Sequence, residues 1–599
     1  MTRPLFPGWG HGLTDGQGRW RTVRRRAESW IGRHSRVGLL VAAFAYVASF
    51  SPSLLPRTWL TQSLLTAVTV AVMYGVGAAL GAAWDLIARG IRLEIGVAPW
   101  VRRWLGPLVA GLVVVWMAVS LRRSYHAAAV TAELVEMAPP AWWEHSASLF
   151  LALVFAWLVR LVFVTLRRAW RRLRAATRRR IRFPFLDTAV AIAVVLGLVV
   201  VFNQVVARNV LGFFYEHFAR ANVGVEAGAV RPTQAERSGS PASSQDWEQL
   251  GRMGQSFLTL GPSATQIAQV TGRPAREPIR IYAGLIQHQT IDDAVAAVLG
   301  ELERTGAWER DCLLLVTTTG SGWVDEYSVQ AVEYLSGGDV ATVAIQYSFL
   351  PSFAALLSDR ESPQLAARQL LTAVEERLAA RPAGQRPALL VTGTSLGAYG
   401  GLGAFASAAD MLARVDGAVW TGVPRWTPLH RELTAGRQKG SPEVAPVIGS
   451  GEHIRFITKP AQLRADAYGR AYIPWSQPRV VFLQHASDPV VWWEPHVFVA
   501  APTWIREAAG SDVNPAMRWT WGVTFWQLFT DLPFAGLAPA GHGHFYRHEQ
   551  IHAWREVLAP AGQAPLAGRR VSEETIERIA QHIDADLLRT ATGRSQLSH

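Results

Sequence analysis

Three residue types that together activate a hydroxyl for attack on an ester follow one another through the second half of this chain. Ser395 stands in GTSLG, Asp488 in HASDP, and histidine in GHGHF, where His544 and His542 both qualify. Serine is a weak nucleophile at neutral pH, so a histidine must take its proton during attack and return it to the leaving group. An aspartate bonded to the far side of the imidazole fixes the tautomer and stabilises the imidazolium. His544, followed by Phe545 and five residues on by Glu549, is favoured as the base over His542.

Such chemistry needs a serine lifted clear of its surroundings, and the flanking residues supply the means. The apolar run Ala388 to Thr392 reads as a buried strand and ends in Gly393, Ser395 and Gly397; Ala398, Gly400 and Gly401 then open a helix of small residues expected to run to Arg414. This is a nucleophile elbow, a strand-to-helix turn in which side chains two before and two after the serine would collide. Asp488 falls just after the strand Val480 to Gln484, and the histidines lie in a Gly-rich loop before a helix, which is the order and placement of an α/β-hydrolase. Oxyanion stabilisation would come from the backbone N–H of Leu396 and from Thr319 and Gly320 in the loop TTTGSGW.

Around these sites strands alternate with helices: Ile279 to Ala283, Leu313 to Thr318, Ala341 to Gln346, Gly417 to Thr421 and Ile454 to Ile457 complete the strands. The alternation predicts an α/β domain with a mostly parallel sheet covered by helices on both faces, over 247–599. Between Asp488 and the histidines lie Trp492, Trp493, Trp504, Trp519, Trp521, Phe525, Trp526, Phe529 and Phe534, read equally as core packing and as an apolar acyl-binding wall.

The first third of the chain is different in kind. Residues 1–206 hold 25 Arg, no Lys and 8 acids, a net of +17, while the remainder carries a net of −4. These arginines separate five apolar segments: Val37 to Leu55, Leu60 to Trp84, Leu105 to Leu121, Leu149 to Phe163 and Thr188 to Val206. The pattern predicts an all-α transmembrane domain over 37–206 behind a basic arm, 1–36, and excludes the nucleic-acid partner that a pI near 10 would otherwise suggest. By the positive-inside rule the N-terminus is cytoplasmic and five crossings put the hydrolase domain outside the cytoplasm. A juxtamembrane segment and a Pro/Ser-rich linker, 207–246, join the two parts.

The lone Cys312 reads as a core residue. The sequence offers no paired cysteines and no His-Glu-x-x-His, and no Gly-Lys-Ser/Thr for a phosphate, so neither metal nor cofactor is expected.

SFSPSLLPR (49–57), TTTGSGW, QYSFLPS (346–352), VTGTSLGAYGG and HASDPVVWW together resemble the actinobacterial-type integral membrane α/β-hydrolases, over most of the chain. The resemblance implies an envelope-anchored serine hydrolase with Ser395 as nucleophile and passes on no substrate. The expected function is cleavage or transfer of the acyl group of an ester, a lipid or envelope component, at the bilayer. The alternative is a non-enzymatic envelope or transport-associated protein that keeps the fold as a scaffold.

Overall fold

The computed structural model describes residues 35–91, 99–180, 216–226, 228–507, 510–559 and 571–597. Seven strands form one parallel sheet in the order β1-β3-β2-β4-β5-β7-β6. They are β1 Ile279–Ala283, β2 Cys312–Thr317, β3 Val340–Ile345, β4 Ala388–Thr394, β5 Gly417–Thr421, β6 Ile454–Ile457 and β7 Arg479–Leu483. Each is an almost unbroken apolar run because both faces are covered, as an all-parallel sheet requires. Leu313, Leu315, Leu389 and Val391 point into one core, and Leu314, Val316, Leu390 and Val419 into the other. Cys312 is buried in the second core, where desolvation pushes its thiol up.

The N-terminal helices are α1 Arg36–Ser49, α2 Trp59–Gly90, α3 Pro99–Leu134 and α4 Trp142–Arg180. In the second half, α5 Ile291–Arg304 and α7 Ser362–Ala379 lie on the first face of the sheet, and α6 Glu326–Leu335, α11 His548–Leu558 and α12 Glu573–Leu597 on the second. The helix expected from Leu396 to Arg414 is two helices, α8 Leu396–Leu402 and α9 Ala408–Arg414. The chain breaks between them because Ser407 leaves helical geometry and caps α9, its hydroxyl accepting from the Asp410 N–H at 3.1 Å. Between β7 and α11 lies α10 Thr524–Asp531.

Five crossing helices are not what the described residues of the N-terminal part contain. Among the described residues three helical stretches are long and apolar enough to cross a membrane: Trp59–Gly90, Pro107–Leu134 and Trp142–Val162. Leu112, Val114, Val115 and Phe150 are exposed on them, as lipid-facing side chains would be. The first expected segment yields only the 14 residues of α1, about 21 Å at 1.5 Å per residue against a hydrocarbon core of about 30 Å. Pro52 and Pro56 stop it, and residues 50–58 form a loop instead. The fifth segment, Thr188 to Val206, and the basic arm up to residue 34 lie outside the described residues.

The Pro/Ser-rich stretch is packed rather than free. Ser238 and Ser240 are buried, the Ser238 N–H donates to the Arg280 carbonyl at 3.0 Å, and Ser238, Ser243 and Ser244 donate to the buried Glu301 carboxylate. It extends the edge of the sheet alongside β1. Polar residues there satisfy backbone and carboxylate groups that burial would otherwise strand.

Candidate active site

Ser395 sits where β4 meets α8, with φ 59° and ψ −120°, one of few non-glycine residues at positive φ. The strain is borne by the serine itself. Its glycine neighbours are needed for close approach: a Cβ on Gly393 would lie 2.6 Å from the Gly397 carbonyl, and one on Gly397 would collide with the Thr317 carbonyl oxygen at the end of β2. Register holds the turn from the other side, since Thr394 pairs with Thr421 and the Ser395 N–H donates to the Thr421 carbonyl at 2.9 Å.

The two histidines part company. His544 Nδ1 lies 2.6 Å from Asp488 Oδ2, whereas His542 Nδ1 faces Asp512 at 3.6 Å. A carboxylate only accepts, so the Nδ1 proton of His544 points at Asp488 and Nε2 of the neutral ring is left as the acceptor. His548 and His552 face Asp584 and Glu573, so the four histidines of this stretch address four different carboxylates.

Asp488 is fully buried and held by three donors. The Val490 N–H reaches Oδ1 at 2.8 Å, and His544 and the Tyr546 hydroxyl, at 2.6 Å, share Oδ2. Burial and the adjacent carboxylate push the Tyr546 phenol well up, so it remains a donor. Tyr546 stacks on His485, ring centroids 4.1 Å apart. His485 in turn bonds the Gly543 carbonyl at 2.9 Å and Glu549 at 2.8 Å. Burial alone would lower the His485 pKa, but the Glu549 bond and charge outweigh it and raise it; the same pairing holds Glu549 low against its own desolvation. Glu549 therefore fixes the loop carrying His544 rather than His544 itself. Gly422 lets the imidazole in, since a Cβ there would come within 2.5 Å of His544 Cε1.

Ser395 and His544 line one cavity of about 640 Å³ together with Leu396, Thr319 and Asp325. Its remaining wall is largely apolar, with Trp426, Val490, Trp493, Phe529, Leu532 and Pro533. The aromatic stretch thus divides: Trp493 and Phe529 face the cavity, 5.7 Å apart, while Trp492 and Trp504 are fully buried against each other in a separate core.

The loop 317–323 differs from its expectation. Thr319 reaches the cavity, but its N–H donates to the Trp323 carbonyl at 3.0 Å, and Gly320 is not among the cavity's lining residues. Leu396, by contrast, is the first residue of α8, and first-turn amides have no acceptor within their own helix. Asp325, which the sequence did not single out, caps α6 and accepts from Thr394 Oγ1 at 2.8 Å and Gln550 Nε2 at 3.0 Å. Desolvation raises its carboxyl above the usual range. It ties the elbow to the helix after the histidine, and only its place beside a Gly-rich loop hinted at this.

Residues 279–571 match a family described as the alpha/beta-hydrolase family, and residues 50–262 match the N-terminus of an alpha/beta-hydrolase family. No curated protein and no solved structure matches the chain. The seven-stranded parallel sheet, the serine at its central turn and the two matches covering both halves agree, and the chain belongs to this α/β-hydrolase family with its helical N-terminal part.

Proposed function

We propose that this chain is a multi-pass membrane serine hydrolase that cleaves or transfers the acyl group of an ester through Ser395, His544 and Asp488. The observation that carries the reading is the strained Ser395 sharing one cavity with a His544 whose Nδ1 is bonded to buried Asp488. His544 Nε2 takes the serine proton as Oγ attacks the carbonyl carbon, and the Leu396 N–H faces the oxyanion. The imidazolium then protonates the leaving alkoxide, and water or another alcohol, activated by the same histidine, releases the acyl group. The apolar wall suits an aliphatic acyl chain, and three membrane-length helices favour a lipid or envelope ester. The arginine-rich connections, by the positive-inside rule, favour the extracytoplasmic face.

The purified full chain should react with a fluorophosphonate at one site, and Ser395→Ala should abolish labelling. Labelling that persists in Ser395→Ala removes the serine nucleophile. A folded wild type that never labels favours the scaffold alternative.

A further inference from the structure

We propose that the loop 50–58, between α1 and α2, is a positioning element of the active site, setting the acid and histidine through Leu55 and the cavity wall through Ser53 and Arg57. This deepens the proposed function and rests on its assignment of Asp488 and His544.

Two leucines of the loop leave the helical region and enter the hydrolase half. Leu54, fully buried, joins the core formed by Val491, Trp492, Trp504 and Leu528. Leu55 shares a smaller core with Val135, Ala535 and Ala538, against which Val490 packs. Two of these partners, Val490 and Ala535, lead directly to the triad. The Val490 N–H donates to Asp488 Oδ1, and the Ala535 carbonyl accepts the His544 N–H at 2.8 Å. Gly543 is seated so closely that a Cβ on it would stand 2.6 Å from that same carbonyl.

The polar residues of the loop grip α10. Asp531 is fully buried and accepts from the Ser53 hydroxyl and from Arg57 Nε, the latter at 2.8 Å. One turn earlier Gln527 Nε2 donates to the Ser51 carbonyl and hydroxyl, both at 3.0 Å. Phe529 lies between these anchors and faces the cavity, and Leu532 and Pro533 follow. The loop is braced from below, where Arg57 Nη1 donates to Gln62 of α2 and Gln62 donates to the Ser49 carbonyl of α1. An element that only tethered the hydrolase half would not pack against the residues two and three beyond the acid and against the residue bonded to the histidine backbone.

The test separates how many sites react from how fast each reacts. Full-length protein in detergent micelles carries Leu55→Ala, Leu55→Ile or, as a control on the exposed face of α2, Trp84→Ala, and fluorophosphonate labelling of Ser395 is followed to completion. A misplacement of about 1 Å in a catalytic constellation costs on the order of 100-fold in rate. Leu55→Ala should therefore label to the same final stoichiometry as wild type but at least tenfold more slowly, with an altered pH profile of the rate. Leu55→Ile, which conserves volume, should recover most of the rate, and Trp84→Ala should match wild type. Equal rate constants for wild type and Leu55→Ala, or a loss confined to the number of reactive sites, would overturn the proposal. A wild type that labels nowhere would instead overturn the serine-hydrolase reading on which it rests.

Discussion

The two halves of the candidate triad are built in different ways. Ser395 is fixed by its immediate surroundings: a strand paired on both sides, a turn in which Gly393 and Gly397 leave room for neighbouring backbone, and an amide bonded to the adjacent strand. Asp488 and His544 stand on loops, and what fixes them comes from far along the chain: Tyr546, the His485–Glu549 pair, Ala535 and, through Leu55, the N-terminal helices. Local backbone geometry positions the nucleophile, and long-range packing positions the groups that activate it. Perturbing the second half should therefore leave the sheet folded while chemistry fails.

The largest expected effect of that kind is Asp488→Asn. It keeps the shape but presents an amide to His544 Nδ1 and favours the wrong tautomer, so kcat should fall on the order of 10⁴-fold. The circular dichroism spectrum should be unchanged, and loss of the fold instead would place Asp488 among the structural residues.

Next is the link between the halves. Asp531→Ala leaves Arg57 buried and unpaired, and truncating one partner of such a pair costs about 3–5 kcal/mol. Thermal unfolding of the full chain should show a lowered Tm. Replacing Arg57 and Asp531 together should cost less than Asp531→Ala alone, because no lone charge remains buried. An equal or greater loss in the double variant would mean that packing, not charge, dominates there.

These differences also explain what could be read from residue order. The seven strands were legible because buried parallel strands are short apolar runs with recognisable ends, and the elbow was legible because its serine and both glycines fall within five residues. The choice between His542 and His544 was not, since it depends on which carboxylate each meets across the fold. Tyr546 and Asp531 carried no local sign, and Asp325 only its place beside a Gly-rich loop, their partners being on other elements. Hydropathy overcounted the crossings in the first segment because it averages over Pro52 and Pro56, which end α1 and turn the remaining apolar residues, Leu54 and Leu55, into core of the other half.

A smaller effect would sharpen the comparison within the acid's own surroundings. Tyr546→Phe removes one of three donors to Asp488; hydrogen bonds to charged groups are worth about 1.5–3 kcal/mol, so kcat/KM should fall roughly tenfold or more, since about 1.4 kcal/mol is tenfold in rate. Steady-state kinetics with a short-chain ester would measure it.

The smallest is a pH effect. His485, raised above its ordinary 6.5, contributes stability that is fully present below that value and is lost as pH rises through its folded pKa. Glu549, held below its ordinary 4.5, contributes stability present above that value and lost as pH falls through its folded pKa. The Tm difference between wild type and Glu549→Gln should accordingly be widest between pH 4.5 and 6.5 and narrow on either side. A difference that grows steadily above pH 6.5 would contradict the ion pair.

The most direct test of the central claim is the rate of fluorophosphonate labelling, with the adduct mapped by mass spectrometry, in wild type, His544→Ala and His542→Ala. The structure places His544, not His542, on Asp488, so the adduct should sit on Ser395, form far more slowly in His544→Ala, and form at the wild-type rate in His542→Ala. An adduct on another residue, or equal slowing by both histidine variants, would contradict the account.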